Sequence, residues 1–139
     1  MISGYYIQSG STSYNVNNGK SYGYIKFTTP DTTDDILLSV SCYTSSENNW
    51  DFGGVYVGTV IYQPTQSQIK NKTTDGNGFY LYTGSGSNSS PATYTLETVG
   101  QTLQPNTEYY ISFAYVKDSS GNSNNDRFFI SEIKFNTAV

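Results

Sequence analysis

The sequence contains no histidine and only one cysteine, Cys42. Histidine is the commonest general base near neutral pH and the commonest zinc ligand, so its absence removes both roles. A single cysteine forms neither an internal disulfide nor a thiolate metal cluster. Helix-forming residues are scarce as well, because alanine, leucine, glutamate and lysine make up only 18 of the 139 residues. These types lose the least side-chain freedom in a helix, so their scarcity excludes a helical bundle.

Charged residues are few, and most of them are acidic. Seven lysine and arginine residues stand against eleven aspartate and glutamate residues, which gives a net charge of −4. Polyanion binding needs clustered cations, whereas the basic residues here are scattered along the chain, so we expect no nucleic-acid partner. No apolar run approaches the roughly 20 residues of a membrane-spanning helix, so we expect no membrane insertion.

Aromatic side chains are abundant: fourteen tyrosines, seven phenylalanines and one tryptophan. Disordered segments lack such large buriable groups, so we expect an ordered domain. Apolar residues recur at every second position, which is the period of a half-buried β-strand. The predicted faces are Ile36, Leu38, Val40 and Cys42; Tyr109, Ile111, Phe113 and Tyr115; and Phe129, Ile133 and Phe135.

Groups of turn-forming residues separate these segments, chiefly glycine, proline, asparagine and aspartate. About eight short strands result, which is the number in a double-sheet jelly roll. We therefore predict an all-β fold, a two-sheet antiparallel β-sandwich with jelly-roll topology that forms one domain over residues 1–139. Residues 64–72 are the only segment in which we expect a helical turn.

Two segments resemble a known type of module. Residues 103–135 contain an aromatic strand that ends in Tyr-Val-Lys-Asp-Ser-Ser, then a glycine-containing turn, then Asp126 before the last strand. Residues 42–53 end in Asn-Trp-Asp-Phe-Gly. Both are similar to segments of jelly-roll modules in bacterial surface proteins and in phage tail or fibre proteins. The resemblance implies a galactose-binding-like sandwich but no particular ligand, because such modules serve binding, spacing and assembly alike.

The start of the chain and its composition suggest different compartments. If Met1 is the native start, the first seven residues lack the basic and apolar regions of a signal peptide. Serine, threonine, asparagine and tyrosine nevertheless prevail over charged residues, as in extracellular and particle-surface proteins. A virion surface reconciles the two observations. The alternative is an extracellular or cell-surface location as a piece of a longer secreted protein.

Location and resemblance together predict a non-enzymatic module on the surface of a bacteriophage virion. It would decorate a capsid or belong to a tail or fibre, and mediate assembly or adhesion to host-surface glycans. Its partners would be other virion proteins, further copies of itself or those glycans. The alternative is a carbohydrate-binding module of a secreted bacterial surface protein, and a third hypothesis is an adhesin stabilised by Ca²⁺.

Trp50 is the best candidate for a platform on which a sugar stacks. Aromatic rings stack on the apolar faces of sugars, while amide and carboxylate side chains bind the hydroxyl groups. The predicted ligand-binding residues are Trp50, Asn48, Asn49, Asp51 and Tyr56. The alternative is that Trp50 closes the end of the sandwich, since a single tryptophan is usually largely buried.

Tyr80 and Tyr82 alternate with Phe79 and Leu81 along one predicted strand. If Phe79 and Leu81 point into the core, the two tyrosines form an exposed face. Tyrosine is enriched at interfaces because its ring is apolar and its hydroxyl is polar. We therefore expect Tyr80 and Tyr82 to contact a ligand or a neighbouring subunit.

Oxygen-bearing side chains alternate in the turn that follows Lys117, and Ca²⁺ prefers such ligands. The candidate metal ligands are Asp118, Ser120, Asn122, Asn124 and Asp126. The spacing is not that of an EF-hand, so we favour a hairpin loop whose side chains cap the backbone, with no cofactor. In that interpretation Lys117 or Arg127 pairs with a nearby carboxylate. The resemblance implies that Asp51 and Glu47 are neighbours of this loop.

We predict no catalytic activity. A serine nucleophile needs a base, and without histidine only a lysine could serve. Residues 67–70 read Ser-Gln-Ile-Lys and match the Ser-x-x-Lys spacing, but that spacing is short and common. No phosphate-binding Gly-x-x-x-x-Gly-Lys loop occurs in the sequence.

Overall fold

The computed structural model describes residues 7–9, 20–31, 36–46, 48–86, 92–117 and 127–136. These residues form eight β-strands and two short helices. The strands are β1 (Ile7–Ser9), β2 (Lys20–Thr28), β3 (Leu38–Ser45), β4 (Phe52–Gly58), β5 (Gly78–Gly84), β6 (Ala92–Thr95), β7 (Glu108–Val116) and β8 (Arg127–Phe135), and the helices are α1 (Gln66–Lys70) and α2 (Leu96–Val99). No helix in this part of the chain is long and apolar enough to cross a membrane.

The strands form two antiparallel sheets, with the orders β1-β8-β3-β6 and β2-β7-β4-β5. In the pairs β1·β8, β2·β7, β3·β6 and β4·β5 the strand numbers always add to nine. This nesting is what results when one long antiparallel ribbon is wrapped around a barrel, and it defines a jelly roll. The prediction of an all-β, two-sheet antiparallel sandwich is confirmed, although β1 has only three residues.

The core lies between the two sheets, and among the described residues seven of the 17 buried side chains that form it are aromatic. The predicted inner faces of β3 and β7 are confirmed, because their alternate apolar residues belong to this core. Ring contacts join the layers: the centroids of Phe27 and Phe135 are 4.8 Å apart, and the nearly parallel rings of Tyr82 and Phe128 are 5.7 Å apart. Fully or nearly buried aromatic side chains therefore hold one sheet against the other.

A β-bulge on β5 overturns the prediction for Tyr80 and Tyr82. Val55 pairs with Tyr82 while Tyr56 pairs with Tyr80, so Leu81 is an extra residue with no partner of its own. An extra residue breaks the alternation of faces. Leu81 and Tyr82 both belong to the core, and Tyr80 lies on the opposite face. The expectation that Tyr80 and Tyr82 form one exposed face is wrong.

A second bulge, on β8, changes the position of Phe129. Ser41 pairs with Glu132 and Cys42 with Ile130, which leaves Ser131 as the extra residue. Its hydroxyl donates a hydrogen bond to the carbonyl of Ser41, at 3.2 Å. Phe129 is therefore outside the core that contains Ile133 and Phe135, and stacks on Tyr43 at 4.7 Å instead. The predicted shared face of these three residues is wrong for Phe129.

Residues 59–77 connect β4 to β5 and contain the predicted helical turn, which is α1. Its first turn is a capping box: the Thr65 hydroxyl accepts from the amide of Gln68, and the Gln68 side chain accepts from the amide of Thr65. Ile69 is fully buried and packs in a small second core with three residues of the sheet. Those residues are Phe52, Ala114 and Val116. The segment thus covers the outer face of the second sheet.

Substitution of Gly53 tests how closely the two layers approach. A Cβ atom at Gly53 would lie 2.8 Å from the ring of Phe128 on the other sheet, so Gly53→Ala should lower the free energy of unfolding by about 1–3 kcal/mol. Gly23→Ala is the matched control, because a Cβ there meets no atom within 4 Å. We expect Gly23→Ala to leave stability unchanged or slightly higher.

Urea unfolding followed by circular dichroism measures both variants, with the transition midpoint as readout. Equal midpoints for Gly53→Ala and Gly23→Ala would contradict the close interlayer contact at Phe128.

Candidate functional site

The turn between β3 and β4 lies where several strand ends meet. β3 ends at Ser45, and β4 begins at Phe52, which pairs with the last residue of β7, Val116. Gly53 pairs with Gly84, the last residue of β5. The predicted sugar-binding residues Asn48, Asn49 and Trp50 therefore lie at one end of the sandwich.

Hydrogen bonds hold this turn against the residues that follow β5. The amide of Ser46 donates to the carbonyl of Gly86, and the amide of Gly86 donates to the Ser46 hydroxyl, both at 3.1 Å. The amide of Asn49 donates to the Ser85 hydroxyl at 3.0 Å, and that hydroxyl donates to the Asn48 side chain at 3.3 Å. Asn49 has a φ of 67°, a left-handed conformation that asparagine tolerates well. The turn is thus fixed by its backbone and by short polar side chains.

The side chain of Trp50 is 51% exposed. The neighbouring Asn48 and Asn49 are exposed as well. Its carbonyl accepts a hydrogen bond from the side-chain amide of Gln66, at 3.1 Å. The ammonium of Lys70 lies 5.6 Å from the centroid of the indole ring, which is within range of a cation–π interaction. Trp50 does not close the end of the sandwich, so that alternative is wrong. We name Asn48, Asn49, Trp50 and Lys70 the Trp50 surface.

Sequence reasoning missed Lys70 and Gln66 as neighbours of Trp50. Both lie on α1, whose position over the sheet depends on the burial of Ile69. No local pattern around Trp50 indicates this contact, because the contact depends on long-range packing.

Asp51 is fully buried, and its carboxylate lies 3.9 Å from the ammonium of Lys117, which is also buried. A side chain without exposure cannot contact a ligand, so the prediction that Asp51 binds one is wrong. The expectation that Lys117 pairs with a nearby carboxylate is confirmed. A buried ion pair contributes little net stability, but the loss of one partner is costly. The pair therefore ties the base of the turn to the end of β7.

Tyr56 is also buried, and it lies on the outer face of β4 beneath residues 59–77. Its hydroxyl donates to the carboxylate of Asp75 at 2.6 Å, and its ring lies 4.4 Å from Tyr62 and 5.0 Å from Tyr80. Burial, with the carboxylate nearby, raises the pKa of Tyr56 above its ordinary value, and burial does the same to the pKa of Tyr80. The prediction that Tyr56 binds a ligand is wrong. Its role is to fasten the segment that carries α1.

The candidate metal ligands Asp118, Ser120, Asn122, Asn124 and Asp126 lie outside the described residues, so the loop stays a prediction. Glu47 also lies outside them. Across the described ranges, no group of three or more cysteine, aspartate or glutamate side chains is placed to hold a metal ion.

No protein-family model and no curated protein matches the chain. Function is therefore inferred from the fold and from the residues that it displays. Among these, the Trp50 surface combines an exposed ring, two amide side chains and a cation on a turn that is held in place.

Removal of one partner tests the buried ion pair. Lys117→Met leaves the carboxylate of Asp51 buried opposite an apolar side chain, so we expect the free energy of unfolding to fall by about 3–5 kcal/mol. The control is Lys26→Met, which breaks an ion pair of the same 3.9 Å length with Glu108, where both side chains are more than half exposed. Exposed pairs contribute at most about 1 kcal/mol.

Urea titration of the two variants gives the comparison directly. Losses of similar size in Lys117→Met and Lys26→Met would show that the pair at the base of the turn is not a structural tie.

Proposed function

We propose that this chain is a non-enzymatic module on the surface of a bacteriophage virion, a decoration of the capsid or a part of the tail or fibre, which adheres to host-surface glycans. The observation that carries the proposal is the exposure of Trp50 on a fixed turn at the end of a jelly roll. Tryptophan has an apolar ring with one polar N–H group and is enriched at interfaces, so an exposed indole on a fixed turn suits a binding surface. Its flat face suits the C–H face of a sugar ring.

The neighbours of Trp50 supply the polar half of such a site. An amide side chain has both a donor and an acceptor, which is what a sugar hydroxyl requires. Asn48 and Asn49 provide two such groups, both exposed. Because backbone hydrogen bonds already fix the turn, a ligand would lose little free energy in ordering it.

The strand order supports a finer assignment to the galactose-binding-like sandwiches. The order is that of a jelly roll, and the matched segments at residues 42–53 and 103–135 are brought together by the pair of Asp51 with Lys117. As a virion module, the chain would use other surfaces to contact neighbouring virion proteins or further copies of itself. A module of a secreted bacterial protein would use the same Trp50 surface, and it is the alternative.

Replacement of Trp50 tests glycan adhesion. Trp50→Ala should lower retention on an array of bacterial surface polysaccharides at least tenfold, because the ring provides the main apolar contact, and tenfold corresponds to about 1.4 kcal/mol. The melting temperature should change by no more than about 2 °C, because an exposed side chain contributes little to stability. Tyr24→Ala is the matched control, since Tyr24 is 57% exposed on the outer face of β2.

Unchanged retention in Trp50→Ala, or an equal loss in Tyr24→Ala, would count against the Trp50 surface. A large fall in melting temperature would show that the ring serves the fold. Immunogold labelling of phage particles separates the two locations: gold on capsids or tails supports the virion assignment, and gold confined to bacterial surfaces supports the secreted alternative.

A further inference from the structure

A groove of about 370 Å³ lies between β5 and β6. β5 is the edge of one sheet and β6 is the edge of the other, so the groove follows the flank on which the sandwich is open. Pockets for small ligands begin at about 300 Å³. The groove therefore has room for one or two sugar units, and no residue of the Trp50 surface lines it.

Tyr94 and Tyr80 line this groove from two sides, Tyr94 next to the core and Tyr80 on the outer face of β5. Tyr94 is partly buried and packs against Tyr82, with ring centroids 4.8 Å apart. Tyr80 is partly buried too, and its hydroxyl donates to the carbonyl of Thr73 at 3.0 Å. Both rings are held in place before any ligand arrives. Rigid rings of this kind give apolar contact at little cost in conformational freedom.

The hydroxyl groups of the groove divide into occupied and available ones. Thr98 donates to the carbonyl of Thr95 at 2.7 Å, and Thr93 shares a hydrogen bond with Ser41 at 2.8 Å. The side-chain hydroxyls of Thr83 and Tyr94, in contrast, make no hydrogen bond to any part of the chain that the structure describes. The hydroxyls of Thr83 and Tyr94 are thus available to a polar ligand, whereas that of Tyr82, which also lacks a partner among the described residues, is buried.

Lys72 adds a positive charge to the lining. It follows α1 in a left-handed conformation, with a φ of 55°, and its amide donates to the carbonyl of Ile69 at 3.1 Å. Its ammonium forms no ion pair with the residues described here. In a protein with a net charge of −4, a cation of this kind favours an anionic group at the groove.

We propose that the groove is a second saccharide site, which binds a sugar that carries a carboxylate. The ring of Tyr94 contacts the sugar face, the hydroxyls of Thr83 and Tyr94 bind its hydroxyls, and Lys72 binds the carboxylate. A single ammonium suits the one charge of a carboxylate, whereas doubly charged phosphate is usually held by several donors or by arginine. The groove is separate from the Trp50 surface, because Lys70 lies beside the indole and Lys72 lines the groove. A second site for saccharides rests on the proposed function and extends it.

The test is an NMR titration of ¹⁵N-labelled protein with two probes of equal length. A hyaluronan tetrasaccharide carries carboxylates, and chitotetraose carries none. We expect the acidic probe to shift the amide resonances of Thr83 and Tyr94, with a Kd about three- to fivefold lower than that of the neutral probe. Lys72→Gln should raise the Kd for the acidic probe about three- to fivefold, as expected for an exposed ion pair, and leave the Kd for the neutral probe unchanged.

Lys20→Gln is the matched control, because this substitution removes the same charge from an exposed position. Lys20 lies on β2, at the edge of the second sheet opposite to β5. It should not alter either Kd. Equal weakening by Lys20→Gln would overturn the proposal, since the effect would then be one of net charge. Unshifted groove resonances with both probes would overturn it as well.

Trp50→Ala separates this proposal from the proposed function. Groove shifts that persist in Trp50→Ala and vanish in Lys72→Gln support a separate site. If the acidic probe shifts only residues around Trp50, and Trp50→Ala abolishes those shifts, the groove proposal fails while the Trp50 surface stands. If the groove responds but Trp50→Ala retains full binding on the array, the proposed function fails and the groove site stands.

Discussion

The packing of aromatic rings between two sheets is the constraint on which the rest of the structure depends. Phe27 meets Phe135, and Tyr82 meets Phe128, across the interlayer space. Such large groups leave no room for a side chain at the facing Gly53, where a Cβ atom would lie 2.8 Å from the ring of Phe128. Because these contacts fix both sheets, residues 48–50 at the strand ends are held in constant positions by their hydrogen bonds, and a binding surface can be built on them.

The Trp50 surface shows how that frame determines function. Asp51 is directed inward to Lys117 at the end of β7, while the next residue back, Trp50, remains in solvent. Two adjacent residues of this turn thus have different roles: Asp51 holds the turn in place, and Trp50 is exposed to a ligand. Residues 59–77 supply the cation of the Trp50 surface. The burial of Ile69 and the hydrogen bond from Tyr56 to Asp75 hold this segment on the sheet, which places α1 and its Lys70 beside the indole. The same helix ends at Lys70, and Lys72, two residues later, lies beside the groove between β5 and β6.

Hydrophobic alternation predicted much of the fold, including the inner faces of β3 and β7 and the two-sheet architecture. It failed at Tyr82 and Phe129, because one extra residue in each strand, Leu81 and Ser131, shifts the faces by one position. A bulge depends on how neighbouring strands pair, which local periodicity does not record. The candidate site shows the same limit. The sequence left open whether Trp50 is exposed or buried, and the burial of Asp51 depends on a partner distant in sequence.

The single tryptophan allows the most direct test of the account, because its fluorescence reports on one position only. The account predicts that native protein shows the emission of a solvated indole and is readily quenched by acrylamide. Urea should then change that emission little, while circular dichroism shows the sheets unfolding. A native emission typical of an apolar environment, protected from acrylamide and shifting to longer wavelength on unfolding, would place Trp50 in the core and contradict the account.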